Sequence, residues 1–197
     1  MIVDEHSPTP DCEACIQAKQ HHKPFSHDVG KHSESAGELT HSDVWGPSQT
    51  ESIGGSKYYI SFIDDHTRRC TVEFMSNKSQ ATEKVKQYIT HLQVQQGKQP
   101  KIIRCDNGTE YVNKELIGWC KDRGIDLQHS APYSPQSNGA PERLNRTLIE
   151  LARAMLIAKN LPKYLWAEAV SHAAYLRNRV STRALKDTTP DGLWNEQ

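Results

Sequence analysis

The chain has 197 residues, of which 36% are hydrophobic, and its 24 Lys and Arg residues balance its 24 Asp and Glu residues. This length supports one well-packed core with appendages, and the sequence holds no apolar run of about 18 residues, which excludes a membrane-spanning helix. Five cysteines without the spacing of a secreted disulfide framework favour a reducing compartment.

Residues 1–36 are polar and contain a Cys-x-x-Cys pair formed by Cys12 and Cys15. Such a pair can supply two thiolates to a tetrahedral zinc ion, but two further ligands are needed to complete the site. His6 is the one histidine that precedes the pair. We therefore expect either half of a zinc-binding module followed by a linker, or an unstructured arm.

Three strands are predicted next, over 38–44, 57–63 and 70–75, because their apolar residues alternate. Their short connections favour an antiparallel meander. Asp64 and Asp65 fall in the turn that precedes the third strand. Aspartates in turns commonly bond their own backbone, so a turn role is favoured over metal binding for this pair.

The middle of the chain alternates helix, strand, helix and strand. Ser79 and Gly97 are the expected cap and end of the first helix, and Asn113 is the expected cap of the second. A strand that follows a helical crossover should lie parallel to its neighbour in the sheet. Cys105, at the end of the first of these strands, is expected in the core rather than as a nucleophile. The four predicted elements cover 79–96, 101–105, 113–123 and 125–128.

A loop over 129–140, dense in Pro, Ser, Asn and Gly, leads into a long helix predicted over 138–159. At about 100° per residue, Glu142, Arg146 and Arg153 share one face of this helix. From residue 138 to residue 186, nine Lys and Arg residues stand against three acids, which indicates either a solvated helix face or phosphate contact. On the face opposite Glu142, the residues expected to pack against the core are Leu144, Leu148, Leu151 and Met155. A further helix is predicted over 164–180.

Three acids stand at the ends of separate predicted elements. Asp43 ends the first strand, Asp106 follows the fourth, and Glu142 lies in the first turn of the long helix. Carboxylates are the oxygen ligands that Mg²⁺ prefers, and two ions about 4 Å apart can clamp the attacking and leaving oxygens of a phosphoryl transfer. These three acids are therefore the candidate catalytic and metal-binding residues.

The acids and four surrounding sequence motifs resemble the integrase of copia-type long-terminal-repeat retrotransposons, within the retroviral integrase superfamily. Thirty-five residues separate Asp106 from Glu142. The motifs are FIDDHTR at 62–68, DNGTE at 106–110, APYSPQ at 131–136 and LPKYLWAEA at 161–169. The resemblance covers nearly the whole chain, and the four motifs keep their order around the spaced acids.

This resemblance implies an α/β chain with an RNase H-like fold: a five-stranded mixed sheet, three antiparallel strands and then parallel strands, flanked by helices. It also implies three regions. Residues 1–36 would be the remnant of an N-terminal HHCC-type zinc-binding module with its linker. Residues 37–180 would be the catalytic core, and residues 181–197 a C-terminal extension of that core.

The resemblance further implies a polyprotein-derived enzyme that processes the 3′ ends of element DNA and transfers them into target DNA. It would use two Mg²⁺ or Mn²⁺ ions, with Zn²⁺ only if the N-terminal module is completed. Its partners would be double-stranded DNA and further copies of itself, in the nucleus after a stage in a cytoplasmic virus-like particle. The candidate DNA-contacting residues are Asn107, Tyr133, Asn138, Arg143, Arg146, Arg153 and Lys159.

Two alternatives stay open from the residues alone. A ribonuclease H or a DNA transposase would share the fold and the acids. A remnant that binds DNA but no longer cleaves it, or cleaves it weakly, would share the basic surface.

Overall fold

The computed structural model describes residues 32–130, 139–182, 184–185 and 187–196. None of the helices within these ranges is long and apolar enough to cross a membrane. The elements are β1 (Leu39–Trp45), β2 (Tyr58–Asp64), β3 (Cys70–Met75), α1 (Ala81–Gln96), β4 (Ile102–Cys105), α2 (Lys114–Lys121), β5 (Asp126–His129), α3 (Gly139–Ala158), α4 (Trp166–Arg179) and α5 (Pro190–Asn195).

The five strands form one sheet in the order β3-β2-β1-β4-β5. β1 pairs antiparallel with β2, and β2 pairs antiparallel with β3. β4 lies parallel to β1 and to β5, because α1 and α2 carry the chain back between strands. The predicted mixed sheet, with a meander followed by parallel strands, is confirmed.

Each face of the sheet buries its own cluster, because successive strand residues point to opposite faces. Ile60, Phe62 and Ile103 pack on one face against α1, α2 and the Trp194 ring of α5. Tyr59 and Ile63 pack on the other face against α3 and α4. Cys105 is fully buried in the first cluster, as predicted. The sheet is therefore the middle layer of three.

Two local predictions are wrong. Ser79 does not cap α1; it lies inside a 3-10 turn, Lys78–Gln80, which Asn77 begins with a capping box. Leu151 does not face the core and is 39% exposed. The buried stripe of α3 instead runs through Asn145 and Ala152, a rotation that places a polar amide at a core position.

The segment before β1 is held by the two aspartates of the β2–β3 turn. Asp64 accepts hydrogen bonds from the backbone of Gly37 (2.7 Å) and from the backbone and hydroxyl of Thr67 (2.8 and 2.7 Å). Asp65 accepts bonds from the Ser33 backbone (2.8 Å) and from Nε2 of His41 (3.1 Å). These aspartates therefore have the structural role that the sequence predicted.

Asp65 is almost fully buried, and Arg68 Nη1 lies 3.3 Å from it. Burial alone would raise its pKa. The hydrogen bonds from His41 and Ser33, together with the charge of Arg68, nevertheless hold the pKa of Asp65 well below its ordinary value of 3.8. The ionised carboxylate thus stabilises the fold above pH 4, and this contribution is lost as the pH falls below that value.

The Asp65→Ala variant should lose about 3–5 kcal/mol in its free energy of unfolding at pH 7, because two nearly buried partners, His41 and Arg68, lose their acceptor. Urea denaturation measures this loss. The solvent-exposed Asp126→Ala on β5 is the control and should change little. The gap between wild type and Asp65→Ala should narrow below pH 4. A gap independent of pH, or one below about 1 kcal/mol, would contradict the assignment.

Candidate active site

The pairing of β1 with β4 fixes the relative position of the first two candidate acids. Leu39 pairs with Ile102, and His41 pairs with Arg104. Continuing this register by two residues sets Asp43 opposite Asp106, on strands that lie about 4.8 Å apart. Paired positions on parallel strands point to the same face, so both acids belong to the face that α3 covers.

The environment of Asp43 carries concentrated negative charge. Its burial, followed by the charge of Asp106 and to a smaller degree that of Glu142, raises the pKa of Asp43 from 3.8 to about 6. A hydrogen bond from Asn145 opposes this rise. The charges of the other two candidate acids therefore act on Asp43.

α3 brings two polar groups to this site. Glu142 lies in the first turn of the helix and is exposed. Asn145, three residues later, is buried, and its Nδ2 donates to Oδ2 of Asp43 at 2.7 Å. Its Oδ1 is buried without a hydrogen-bond partner among the described residues, so the bond to Asp43 is what holds the amide in place.

Sequence reasoning missed Asn145. A signal was present, because the residue stands between Leu144 and Leu148 on the predicted core face of the helix. A buried amide at such a position needs a hydrogen-bond partner. Its spacing of three from Glu142 points it toward the same site, because residues i and i+3 share a helix face.

A cleft of about 810 Å³ opens between the end of β1 and α3, and we call it the acidic cleft. Asp43 and Glu142 line it together with Asn145, Arg146 and Arg153. Two guanidinium groups thus share a cavity with two of the three acids. Asp106 is not part of this lining as far as the described residues show, and it reaches Asp43 from the β4 side.

The turn after β4 is ordered by local bonds. Oδ1 of Asp106 accepts from the Gly108 backbone at 3.0 Å, and Nδ2 of Asn107 donates to the Ser130 carbonyl at 2.6 Å. The Glu110 carboxylate lies directly against Gly108, where an added Cβ would come within 2.6 Å of it. A larger residue at position 108 would therefore have to displace the Glu110 carboxylate, and Asn107 joins the ends of β4 and β5.

A hydroxyl pair ties this turn to β1 from the other face of the sheet. The hydroxyl groups of Ser42 and Tyr111 lie 2.8 Å apart, and both residues are fully buried. Ser42 adjoins Asp43, and Tyr111 is five residues beyond Asp106. This bond therefore fixes the separation of the two strand ends that carry the acids.

The remaining candidate residues are spread over the surface. Arg146 and Arg153 are exposed and line the acidic cleft. Arg143 is exposed and folds back over Gly139, and Lys159 is exposed just beyond the end of α3. Tyr133 and Asn138, like the possible zinc ligands Cys12 and Cys15, lie outside the described residues. Their roles stay predictions.

The donor set suits a hard divalent cation. Over the described ranges, no three His, Cys, Asp or Glu side chains stand close enough together to hold an ion as they are. Asp43, Asp106 and Glu142 nonetheless offer carboxylate oxygens, the ligands that Mg²⁺ and Mn²⁺ prefer. Their mutual repulsion at Asp43 is the charge excess that such a cation would neutralise.

A family model described as Integrase core domain matches residues 33–135. Among curated proteins, the Retrovirus-related Pol polyprotein from transposon TNT 1-94 of Nicotiana tabacum is 36% identical over 186 residues, which is 94% of this chain and 14% of that protein. The corresponding polyprotein from transposon RE2 of Arabidopsis thaliana is 33% identical over 181 residues, 91% of this chain and 12% of that protein. The chain thus spans only 12–14% of the length of these relatives.

Solved structures show the same fold. A simian T-cell lymphotropic virus intasome, solved in complex with PP2A regulatory subunit B56 gamma, matches with a TM-score of 0.72 and 22% identity over 93% of this chain and 63% of that one. The dimeric form of the HTLV-2 integrase catalytic core domain, in complex with magnesium, matches with a TM-score of 0.59 and 18% identity over 81% of this chain and 97% of that one. Retroviral integrase cores are RNase H-like, so the predicted fold class is confirmed.

The Asp43→Asn variant should be more stable than the wild type in metal-free buffer at pH 7. The folded-state pKa of Asp43, about 6, lies above its ordinary value of 3.8, so its protonated form favours folding at low pH and that stabilisation is lost as the pH rises through 6. At about 1.4 kcal/mol per tenfold change in proton affinity, ionised Asp43 costs about 3 kcal/mol.

Chemical denaturation between pH 4 and pH 8 measures this effect. The stability gain of Asp43→Asn should be near zero at pH 4 and should grow toward pH 7, while Asp126→Asn, an exposed carboxyl on β5, serves as the control. An Asp43→Asn protein that is no more stable than the wild type at pH 7 would show that burial and the neighbouring charges do not raise the pKa of Asp43.

Proposed function

Since this chain belongs to the integrase core domain family, we propose that it cuts and rejoins DNA strands by metal-dependent transesterification at Asp43, Asp106 and Glu142. Its sequence relatives are Pol polyproteins of plant transposons, and it is the integrase catalytic core of a retrotransposon polyprotein. The copia-type assignment stays a prediction. DNA from the ends of such an element is the proposed donor, and chromosomal DNA is the proposed target.

One observation supports this proposal above the others. The register of β1 and β4, continued by two residues, would set Asp43 opposite Asp106, and the charges of Asp106 and Glu142 raise the pKa of Asp43. A partly buried carboxyl beside charges of the same sign costs folding energy, and functional sites are where proteins tolerate such a cost. The magnesium in the HTLV-2 integrase core, which has the same fold, supports the choice of cation.

Each acid has a distinct proposed role. Asp43 on β1 and Asp106 just after β4 would hold the cations, and Glu142 would complete the site from the first turn of α3. When bound, two Mg²⁺ or Mn²⁺ ions would polarise the phosphate and stabilise the attacking and leaving oxygens. Asn145 orients Asp43 by donating to Oδ2 of its carboxylate.

The proposed chemistry exchanges one phosphorus–oxygen bond for another. In 3′-end processing, the oxygen of water bonds to phosphorus and the 3′ oxygen of the element strand leaves with a proton. In strand transfer, that 3′ hydroxyl attacks a target phosphate and displaces the 3′ oxygen of the target strand. No covalent link to the protein is required, so the residues act by positioning and charge.

DNA is proposed to lie along the exposed face of α3. Arg146 and Arg153 line the acidic cleft, and guanidinium groups match phosphate oxygens in pairs. Arg143, Lys159 and Asn107 are proposed as further backbone contacts. The neighbours with this fold include an intasome and dimeric and trimeric cores, which supports a working oligomer. Action in the nucleus, after a stage in a cytoplasmic virus-like particle, is proposed from the nature of the target.

The Asp106→Asn variant should lose strand transfer by at least about a thousandfold while keeping its fold and nearly all its DNA affinity, because a neutral amide is a poor ligand for Mg²⁺. Joining of labelled donor ends to a plasmid, in Mg²⁺ or Mn²⁺, measures this. Asp126→Asn is the matched control, because that acid is exposed on the neighbouring strand and should keep full activity.

Two further substrates separate the alternatives. An RNA–DNA hybrid should not be cleaved faster than a terminal-repeat duplex, whereas a ribonuclease H would prefer the hybrid. A wild-type protein that binds the duplex but never cuts it in either cation would be a DNA-binding remnant. Wild-type joining rates in Asp106→Asn would refute the site assignment.

The Asn145→Leu variant should weaken the apparent Mg²⁺ affinity by about 10–100-fold, because the side chain that orients a ligand is lost. Joining rates measured over a Mg²⁺ titration would show the curve shifted to higher concentration with its plateau retained. Thr147→Ala, an exposed change on the same helix, is the control. A reduced plateau at saturating Mg²⁺ would show that Asn145 acts on something other than Asp43.

A further inference from the structure

A second cleft adjoins the acidic cleft along α3, and we call it the apolar cleft. Its volume is about 760 Å³, within the usual range for sites that bind small organic groups. Trp45, Pro47, Ile149 and Arg153 line both clefts, so the two are continuous. The apolar wall consists of Trp45, Ile149, Leu156, Ile157, Leu161 and Trp166.

Hydrogen bonds hold the walls of this cleft in place. The indole Nε1 of Trp166 donates to the Thr50 carbonyl at 2.9 Å, and the Ile53 backbone donates to the Tyr164 carbonyl at 2.8 Å. These bonds join the β1–β2 loop to the start of α4. The Trp45 ring stacks on Tyr59 with 5.3 Å between centroids, so the aromatic wall is part of the core packing. The cleft is preformed.

Polar and charged groups stand around the apolar wall. Ser48, Gln49 and Asn160 can exchange hydrogen bonds with a polar edge, and Arg153 and Lys163 supply positive charge. A flat ring with polar edges, attached to phosphates, suits such a lining. A purely apolar peptide would leave the two cationic groups without a partner.

We propose that the apolar cleft receives a nucleobase that is unpaired from the DNA strand whose phosphate occupies the acidic cleft. This rests on the proposed function, because it assumes DNA in the acidic cleft. The shared residues Trp45 and Arg153 make the two sites neighbours along one strand. A base displaced into the apolar cleft opens the duplex next to the acidic cleft, at the end of that cleft which Arg153 lines.

Two matched DNA ligands test the proposal. Their binding to the protein is measured by fluorescence anisotropy in EDTA, where no turnover occurs. Two hairpin duplexes of equal length end either in one unpaired thymidine or in an abasic residue at the same place. The unpaired base should strengthen binding about tenfold, as expected for one stacked base. The same advantage should appear with Asp106→Asn protein, which separates base docking from catalysis.

A double variant, Ile157→Ser with Leu161→Ser, should reduce the binding advantage of the unpaired thymidine over the abasic residue to about twofold. Its affinity for the abasic duplex should stay unchanged. Both side chains are exposed, at 73% and 45%, so the fold should tolerate the change. Val94→Ser on α1 is the matched control, because Val94 is 72% exposed and lines neither cleft; it should keep the full advantage.

Three results would overturn the proposal. The first is equal binding of the two duplexes by the wild type. The second is an equal loss of affinity for both duplexes in the double variant, which would indicate general DNA contact. The third is a change of oligomeric state in the double variant, measured by light scattering, which would make the cleft a protein interface. Failure to bind either duplex would instead refute the proposed function.

Discussion

The parallel pairing of β4 with β1 is the constraint on which the candidate site depends. It brings together two chain segments whose acids are 63 residues apart in the sequence, and its register, continued by two residues beyond His41 and Arg104, sets Asp43 opposite Asp106. The crossover through α1 makes the pairing parallel, and the apolar residues of both strands bury it between two helical layers. A shift of one residue in this register would turn one acid to the opposite face of the sheet. The register of one strand pair therefore decides whether the two acids meet.

The electrostatic repulsion at Asp43 is tolerated because the sheet and helix around this residue are rigid. Asp43 is largely buried beside carboxyls of the same sign, yet α3 adds the single hydrogen bond of Asn145 rather than a basic side chain. An arginine at that position would neutralise Asp43 and compete with a cation. The neutral amide orients the carboxylate and leaves its charge available. Folding stability is thus lower than the same sheet could reach, and binding of the proposed divalent ion would offset the difference.

Much of this architecture could be predicted from the sequence because it follows local rules. Alternating apolar residues gave the strands, Asn113 and Gly97 marked helix boundaries, and the crossover rule gave the parallel pairing. The rotation of α3 could not be predicted, because Leu151 and Ala152 fit a helical stripe equally well and tertiary packing chose between them. The bonds of Asn145 to Asp43 and of Ser42 to Tyr111 join residues 102 and 69 positions apart, and no local pattern encodes such partners.

The Ser42–Tyr111 bond also bears on how such a protein can change over generations. It steadies the two aspartate-bearing strand ends from the layer that faces α1 and α2, while the basic side chains of α3 lie on the far side of the sheet. The residues proposed to bind nucleic acid and the residues that set the spacing of the candidate carboxyls thus occupy separate layers. Under the proposed function, substitutions among the former would change the contacts with DNA without disturbing the latter. The layered arrangement therefore lets the two sets of residues change independently of each other.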